Sequence, residues 1–306
     1  MKFAELHCHL EACLRLSTLK ELSPSVNPNS LVLQEPAENL AEALKCFDVF
    51  RSALSSPEIL ERMAFEAVED AHQQGLSLVE YRYAPNYIAS IQSNLTFQNI
   101  HNAIVKGVNR GANQFGVTVG LIGIVVRTDP MKDAERTADF IIDNKDTFVG
   151  MDLAGAEIGF PALPFSSLFL KAKNAGLGIT VHAGESDTPD AAQSVLDAIH
   201  RLGAERIGHG LQIHKNPAVM AEVARSGVTL ELCPTSNWLT QCVPALAAHP
   251  IRHIMDAGVK VTVNSDDPIP FGTTFAQEVH LLKAVLGFTD QEIEILMSNA
   301  FEASFV

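Results

Sequence analysis

The chain has 306 residues, 47% of them hydrophobic and 19% charged, and 22 basic against 36 acidic side chains set its formal charge at −14. This is a globular composition with enough length for a substantial core, and it argues against a nucleic-acid partner, which needs clustered Lys and Arg. No apolar run approaches the ~20 residues that span a bilayer, no secretory leader opens the chain, and five cysteines without framework spacing indicate reduced thiols in a cytoplasm.

The first apolar, β-rich run, 3–8, leads into His7-Cys8-His9. A long, Pro/Ser/Asn-rich crossover to about residue 76 follows, and its length predicts extra helices that wall or cover a site. Within it, Ser56 to Gln74 opens on Ser-Pro-Glu and keeps Leu60, Met63, Ala64, Ala67 and Ala71 at spacings of three and four, a helix with one apolar stripe. Strands are expected at 77–83, 118–126, 148–154, 177–182, 206–209, 228–232 and 259–264, with helices near 132–144, 189–202, 216–226 and 248–257. Strand alternating with helix predicts βαβ units and a parallel sheet. Eight strands without a dinucleotide fingerprint favour a closed (β/α)8 TIM barrel with extra helices in its first crossover. No linker, repeat or low-complexity tract divides it, so 1–306 reads as a single domain.

A barrel places its chemistry at the C-terminal ends of its strands. His7 and His9 end strand 1, His182 strand 5 and His209 strand 6, while Asp266 and Asp267 follow strand 8. Taken singly these are weak signals: with 11 His in the chain, about 0.4 His-x-His pairs arise by chance. A lone His is usually a hydrogen-bonded core residue, and Asp-Asp-Pro serves equally as a turn. Together they share one rim. Period-2 alternation turns His7 and His9 inward and Cys8 toward the helices, which disfavours a Cys8/Cys13 zinc site. Three imidazoles and a carboxylate suit Zn²⁺ or a similar divalent ion with one position left for water. Glu185, three residues beyond His182, and His209 are acid/base candidates beside it. No His-Glu-x-x-His, phosphate loop or paired Cys-x-x-Cys is present, and Gly150 to Glu157 contains no lysine to bridge a second metal, so one metal is expected.

The runs Glu5-Leu6-His7-Cys8-His9-Leu10, Asp152 to Glu157, Val181-His182-Ala183-Gly184-Glu185, Arg206-Ile207-Gly208-His209-Gly210, Leu232 to Asn237 and Asn264-Ser265-Asp266-Asp267-Pro268 resemble the adenosine deaminase family of amidohydrolases, in order and over almost the whole chain. The resemblance implies one Zn²⁺ on His7, His9, His182 and Asp266, with a water whose pKa falls towards ~7. It implies that His209 takes or steers the water proton at C6 of a 6-aminopurine, that Glu185 donates to N1, and that Asp267 orients the nucleophile and contacts the purine. It places the Gly155 N–H on N3 and an apolar lid at Leu40, Leu44 and Phe47, residues whose other reading is ordinary helix core. Family members usually continue further, which implies a final helix beyond residue 306.

Substrate is where the chain departs. Adenosine deaminases read His-x-His-Leu-Asp-Gly, with the Asp on a ribose hydroxyl, whereas this chain has Glu11 and Ala12. Glu also occurs at this position in relatives acting on adenine or on modified adenosines such as 6-amino-6-deoxyfutalosine. The expected activity is hydrolytic deamination of a 6-aminopurine, a small-molecule substrate, with no protein partner inferable. The alternatives are an amidohydrolase acting on another ring amine or a cyclic amide, and a metal-stabilised binding protein.

Overall fold

The computed structural model of the chain describes residues 2–27, 31–37, 47–92 and 94–306. Eight parallel strands follow one another around a barrel in chain order: β1 (Phe3–His9), β2 (Leu76–Tyr83), β3 (Thr118–Val126), β4 (Gly150–Ala154), β5 (Gly178–Ala183), β6 (Arg206–His209), β7 (Thr229–Leu232) and β8 (Lys260–Val263). Every end lies within two residues of its predicted position.

The extra helices of the first crossover are present as α1 (Leu16–Leu22) and α2 (Phe47–Ala53), ahead of α3 (Pro57–Gln73). The α3 helix starts where the sequence predicts: Ser56 caps it through its side chain, which accepts the Ile59 N–H, and Pro57 takes a first-turn position that needs no N–H. Its buried stripe holds Leu60, Met63, Ala64, Ala67, Val68 and Ala71. The outer layer continues with α4 (Pro85–Ala89), α5 (Phe97–Phe115), α6 (Met131–Asp143), α7 (Ser166–Asn174), α8 (Ala191–Asp197), α9 (Pro217–Ser226), α10 (Pro234–Leu239), α11 (Ile251–Asp256), α12 (Phe275–Ala284) and α13 (Asp290–Ala303). The helix expected over 189–202 is α8 running on into a π-helical turn, Ala198–Leu202. Among the described residues no helix is long and apolar enough to cross a membrane.

The seam where the barrel meets itself positions the site. There β8 has ended, and Asn264 stands in for a strand residue: its side-chain oxygen accepts the Leu6 N–H at 3.0 Å. Two residues on, His9 N–H donates to the Asp266 carbonyl at 2.8 Å and Asp266 N–H to the His7 carbonyl at 3.0 Å. The first and last strands are thereby locked with His7, His9 and Asp266 side by side.

The barrel interior departs from the usual layers of branched aliphatics. Arg82, Arg206, Glu80, Asp152 and Glu231 are all buried. Arg82 pairs with Asp152 at 2.9 Å and with Glu231 at 2.7 Å, and Arg206 pairs with Glu80 and Glu231, each at 2.6 Å. Buried charges are tolerated only when paired in this way, and removing one partner typically costs about 3–5 kcal/mol.

Candidate active site

Three strand ends and the seam bring the predicted ligands together. One ligating atom from each of His7, His9, His182 and Asp266 lies within 4.8 Å of the others. The His7 ring centroid is 4.6 Å from that of His182 and 5.4 Å from that of His9. Gly208 makes the crowding possible, since a Cβ there would sit 3.0 Å from the His7 ring and 3.1 Å from that of His182.

The second nitrogens of two of these rings are already committed. His7 Nδ1–H donates to Glu231 Oε2 at 2.9 Å, and His182 Nδ1–H donates to Asp152 at 3.1 Å. Each ring is thereby turned with its Nε2 toward the nest, the arrangement by which carboxylates orient metal-binding histidines. Buried His7 Nε2 has no hydrogen-bond partner, yet it faces Asp266 Oδ1 at 3.1 Å. Three imidazole nitrogens and a carboxylate oxygen converging on one point form a donor set that a divalent cation satisfies. The formal charges agree: two cations, Arg82 and Arg206, meet four carboxylates, Glu80, Asp152, Glu231 and Asp266, a deficit that a divalent ion closes. The residues present thus fit a divalent metal.

Around this nest lies a cavity of about 540 Å³ whose lining includes Glu11, Gly155, Glu185, His209 and Asp267. Burial, followed by the nearby charges of Asp266 and Glu157, pushes the Glu185 carboxyl up to about 8, so it is neutral at neutral pH. Asp267, beside Asp266, is likewise held well above the ordinary range by burial and then by that neighbour, and its Oδ1 has no partner. Glu11 accepts the Ala84 N–H on Oε1 at 2.7 Å and leaves Oε2 unpartnered; burial raises it to about 7. Two non-glycine residues with left-handed backbone stand here, His209 at φ 62° and Asp266 at φ 64°, a strain that clusters at functional sites. Leu40 and Leu44 lie outside the described residues, and Phe47 opens α2 with nothing described of its side chain.

Several residues that sequence reasoning left without a role hold this site in place. Ser236 donates to Asp266 Oδ2 at 2.6 Å. Glu157 accepts the N–H groups of Gly184 and Glu185 at 2.9 and 3.2 Å, fixing the turn that carries Glu185. A chain of three groups sets the His209 tautomer. The Ile251 N–H donates to His249 Nδ1, so His249 carries its proton on Nε2 and donates it to Asn237 Oδ1 at 3.1 Å. Asn237 then presents its NH₂ to His209 Nδ1 at 3.1 Å, which leaves the His209 hydrogen on Nε2, 3.8 Å from both Glu185 and Asp266. The available signal was a charged or polar residue in a buried strand, such as Glu231 in Thr-Leu-Glu-Leu, and nothing local gives its partner.

Comparison with known proteins decides the family. The adenosine deaminase family model matches residues 3–306. The chain belongs to the adenosine deaminase family. An adenosine deaminase from Shewanella denitrificans is 34% identical over 99% of this chain and 93% of its own length. Among solved structures, an adenine deaminase from Arthrobacter aurescens superposes with a TM-score of 0.86 at 28% identity, covering 99% of this chain and 94% of that one. An amidohydrolase from Burkholderia ambifaria, solved with bound Zn, gives 0.90 at 26% identity, covering 100% and 86%. The fold expectation is borne out, and membership in this metal-dependent family carries the reaction class, hydrolytic deamination of a purine nucleoside or base.

Proposed function

We propose that this chain deaminates a 6-aminopurine nucleoside of the adenosine type, with one Zn²⁺ held by His7, His9, His182 and Asp266. The observation that carries the reading is the division of labour within one cavity: a nest of bare ligand atoms, and beside it a carboxyl, Glu185, that takes no part in the nest and is held neutral. When bound, a divalent cation acidifies a water towards ~7 and so supplies the nucleophile; three nitrogens and one oxygen suit zinc.

The chain's own residues then divide the remaining work. His209 steers the water and does not take its proton, because its Nε2 carries the hydrogen. Glu185 donates its proton to purine N1 as C6 becomes tetrahedral, which an ionised carboxylate has no proton to do. Asp267 contributes its unpartnered oxygen to orienting the water and holding the exocyclic amine. The Gly155 N–H, on a left-handed turn lining the cavity, is the donor for N3. A C6–O bond forms and the C6–N bond breaks. The new C6 hydroxyl gives its proton to the departing amine, which leaves as ammonia, and the 6-oxopurine keeps the N1 proton. The proton released when the water ionised restores Glu185 through solvent.

Glu11 reads the rest of the substrate. With one oxygen pinned by Ala84, its free oxygen accepts a hydroxyl of the sugar. A second reading, adenine or a modified adenosine, is favoured by Glu11 standing where adenosine deaminases carry Asp, and by the likeness to a solved adenine deaminase. The test is to incubate zinc-loaded protein with adenosine, 2′-deoxyadenosine, adenine, 5′-modified adenosines and non-purine amines, following ammonia release and the purine absorbance shift. The highest kcat/KM is expected on a nucleoside. A preference for adenine moves the reading to the base, and no turnover of any 6-aminopurine rejects it.

A further inference from the structure

The segment after α13 does not stay in the outer layer. Residues 304–306 lie against the starts of β3, β4 and β5, at the end of the barrel opposite the cavity. Glycines near the starts of three strands clear the slot. A Cβ on Gly178 would collide with the Phe305 ring, one on Gly150 would come within 2.8 Å of it, and one on Gly120 would lie 2.6 Å from Val306.

Phe305 is joined to the barrel's charges on two sides. The Arg206 guanidinium lies over its ring face, 3.7 Å from the centroid. The Phe305 N–H and the Ser304 hydroxyl both donate to Glu80 Oε1 at 2.6 Å, and Arg206 Nη1 donates to the Ala303 carbonyl at 3.0 Å. Arg206 in turn grips Glu231 Oε1 at 2.6 Å, and the other oxygen of Glu231 holds His7 Nδ1 at 2.9 Å. An unbroken line of contacts therefore runs from Phe305 through Arg206 and Glu231 to His7.

We propose that Phe305 is a positioning residue for the metal site: it clamps Arg206, and through Arg206 and Glu231 it keeps the His7 ring turned with Nε2 toward the cation. The inference rests on the reading of His7 as a ligand. Without the ring, one face of Arg206 opens to water at the floor of the barrel. Arg206 and Glu80 then solvate, and Glu231 loses the cation on Oε1, keeping only Arg82 on Oε2 and the Thr180 hydroxyl to hold its orientation. A histidine ligand freed from its carboxylate typically binds metal 10–100-fold more weakly.

The experiment measures the rate at which zinc-loaded protein gives up its metal to a chromogenic chelator, well below the melting temperature. The series is wild type, Phe305→Ala, Phe305→Leu, Phe169→Ala and His7→Ala. Phe169, fully buried on α7, is a ring of equal size with no contact in the chain just traced. Phe305→Ala is expected to release zinc roughly tenfold faster. Phe305→Leu, which refills the slot without an aromatic face, should also release faster than wild type. Phe169→Ala should melt lower and release at the wild-type rate. In metal-free Phe305→Ala labelled with ¹⁵N-histidine, the His7 Nδ1–H signal should exchange with water faster than in wild type.

Equal release from Phe305→Ala and wild type, or equal acceleration in Phe305→Ala and Phe169→Ala, overturns the proposal. If Phe305→Ala does not fold, Phe305→Leu decides: release at the wild-type rate overturns it. If His7→Ala holds zinc as tightly as wild type, the ligand reading fails first, an outcome distinct from failure of the Phe305 link.

Discussion

The two ends of the barrel treat their charges in opposite ways. At the floor, Glu231 receives His7, Arg82 and Arg206, and Asp152 receives Arg82 and His182. At the rim, Glu11, Asp267 and His7 Nε2 are equally buried and each keeps an atom without a partner. Burial is common to both, so burial alone does not mark the site. The distinction is pairing of charge. The floor's arginines and carboxylates face one another, even where Glu80 Oε2 and nitrogens of Arg82 and Arg206 lack an aligned hydrogen bond, whereas the free oxygens of Glu11 and Asp267 face no cation among the described residues.

Glu185→Gln tests the rim most severely. It should keep the metal and lower kcat by about 10²–10⁴, because the amide cannot act as an acid; loss of metal in this variant would show that Glu185 ligates. The same carboxyl predicts the alkaline limb of the pH profile. Below about 8 it is protonated and competent, so the wild-type rate should fall as pH rises through that value. The residual rate of Glu185→Gln should lack this limb.

Glu231→Gln tests the floor. It leaves Arg82, Arg206 and His7 without their shared carboxylate, and should cost about 3–5 kcal/mol in denaturant unfolding and about 10–100-fold in zinc affinity. A variant with stability and affinity both intact would abolish the contrast between the two ends. Glu11→Gln is milder: it should raise KM for a nucleoside about tenfold with kcat little changed, since only substrate binding is weakened. An unchanged KM for adenine in that variant would place Glu11 on the sugar.

The smallest expected effect lies away from the contrast. Burial lowers His101 from 6.5 to about 4 and His249 from 6.5 to about 3. The unfolded chain binds these protons first, so the stability the two neutral rings contribute is full above pH 6.5 and lost as pH falls through the lower values. Melting temperature should decline across that interval, and less steeply in His101→Gln.

The sequence carried the barrel legibly because hydrophobic period and strand length are local. A run such as Val259 to Val263 reads as a buried strand wherever its partners lie, and Ser56 with Pro57 starts a helix by backbone chemistry alone. The helices α4, α5, α7, α10, α12 and α13 have no counterpart among the expected elements, although α5 and α13 carry a local signal, each opening on a capping box and burying residues at spacings of three and four. Within the site, the ligand types and their strand-end positions were visible, and so was the departure at Glu11.

By itself, then, the sequence determined which residues end strands and which of those can bind metal or move protons. Only the tertiary structure decided how each is held. The His7 tautomer depends on Glu231, 224 residues away, and that of His209 on Asn237 and His249. The left-handed backbone at Asp266 stands in the seam that Leu6 and Asn264 close from opposite ends of the chain. The physical reason is range: backbone preference and hydrophobic period act over a few neighbours, whereas a hydrogen-bond partner, a charge balance or a pKa exists only once distant strands lie side by side.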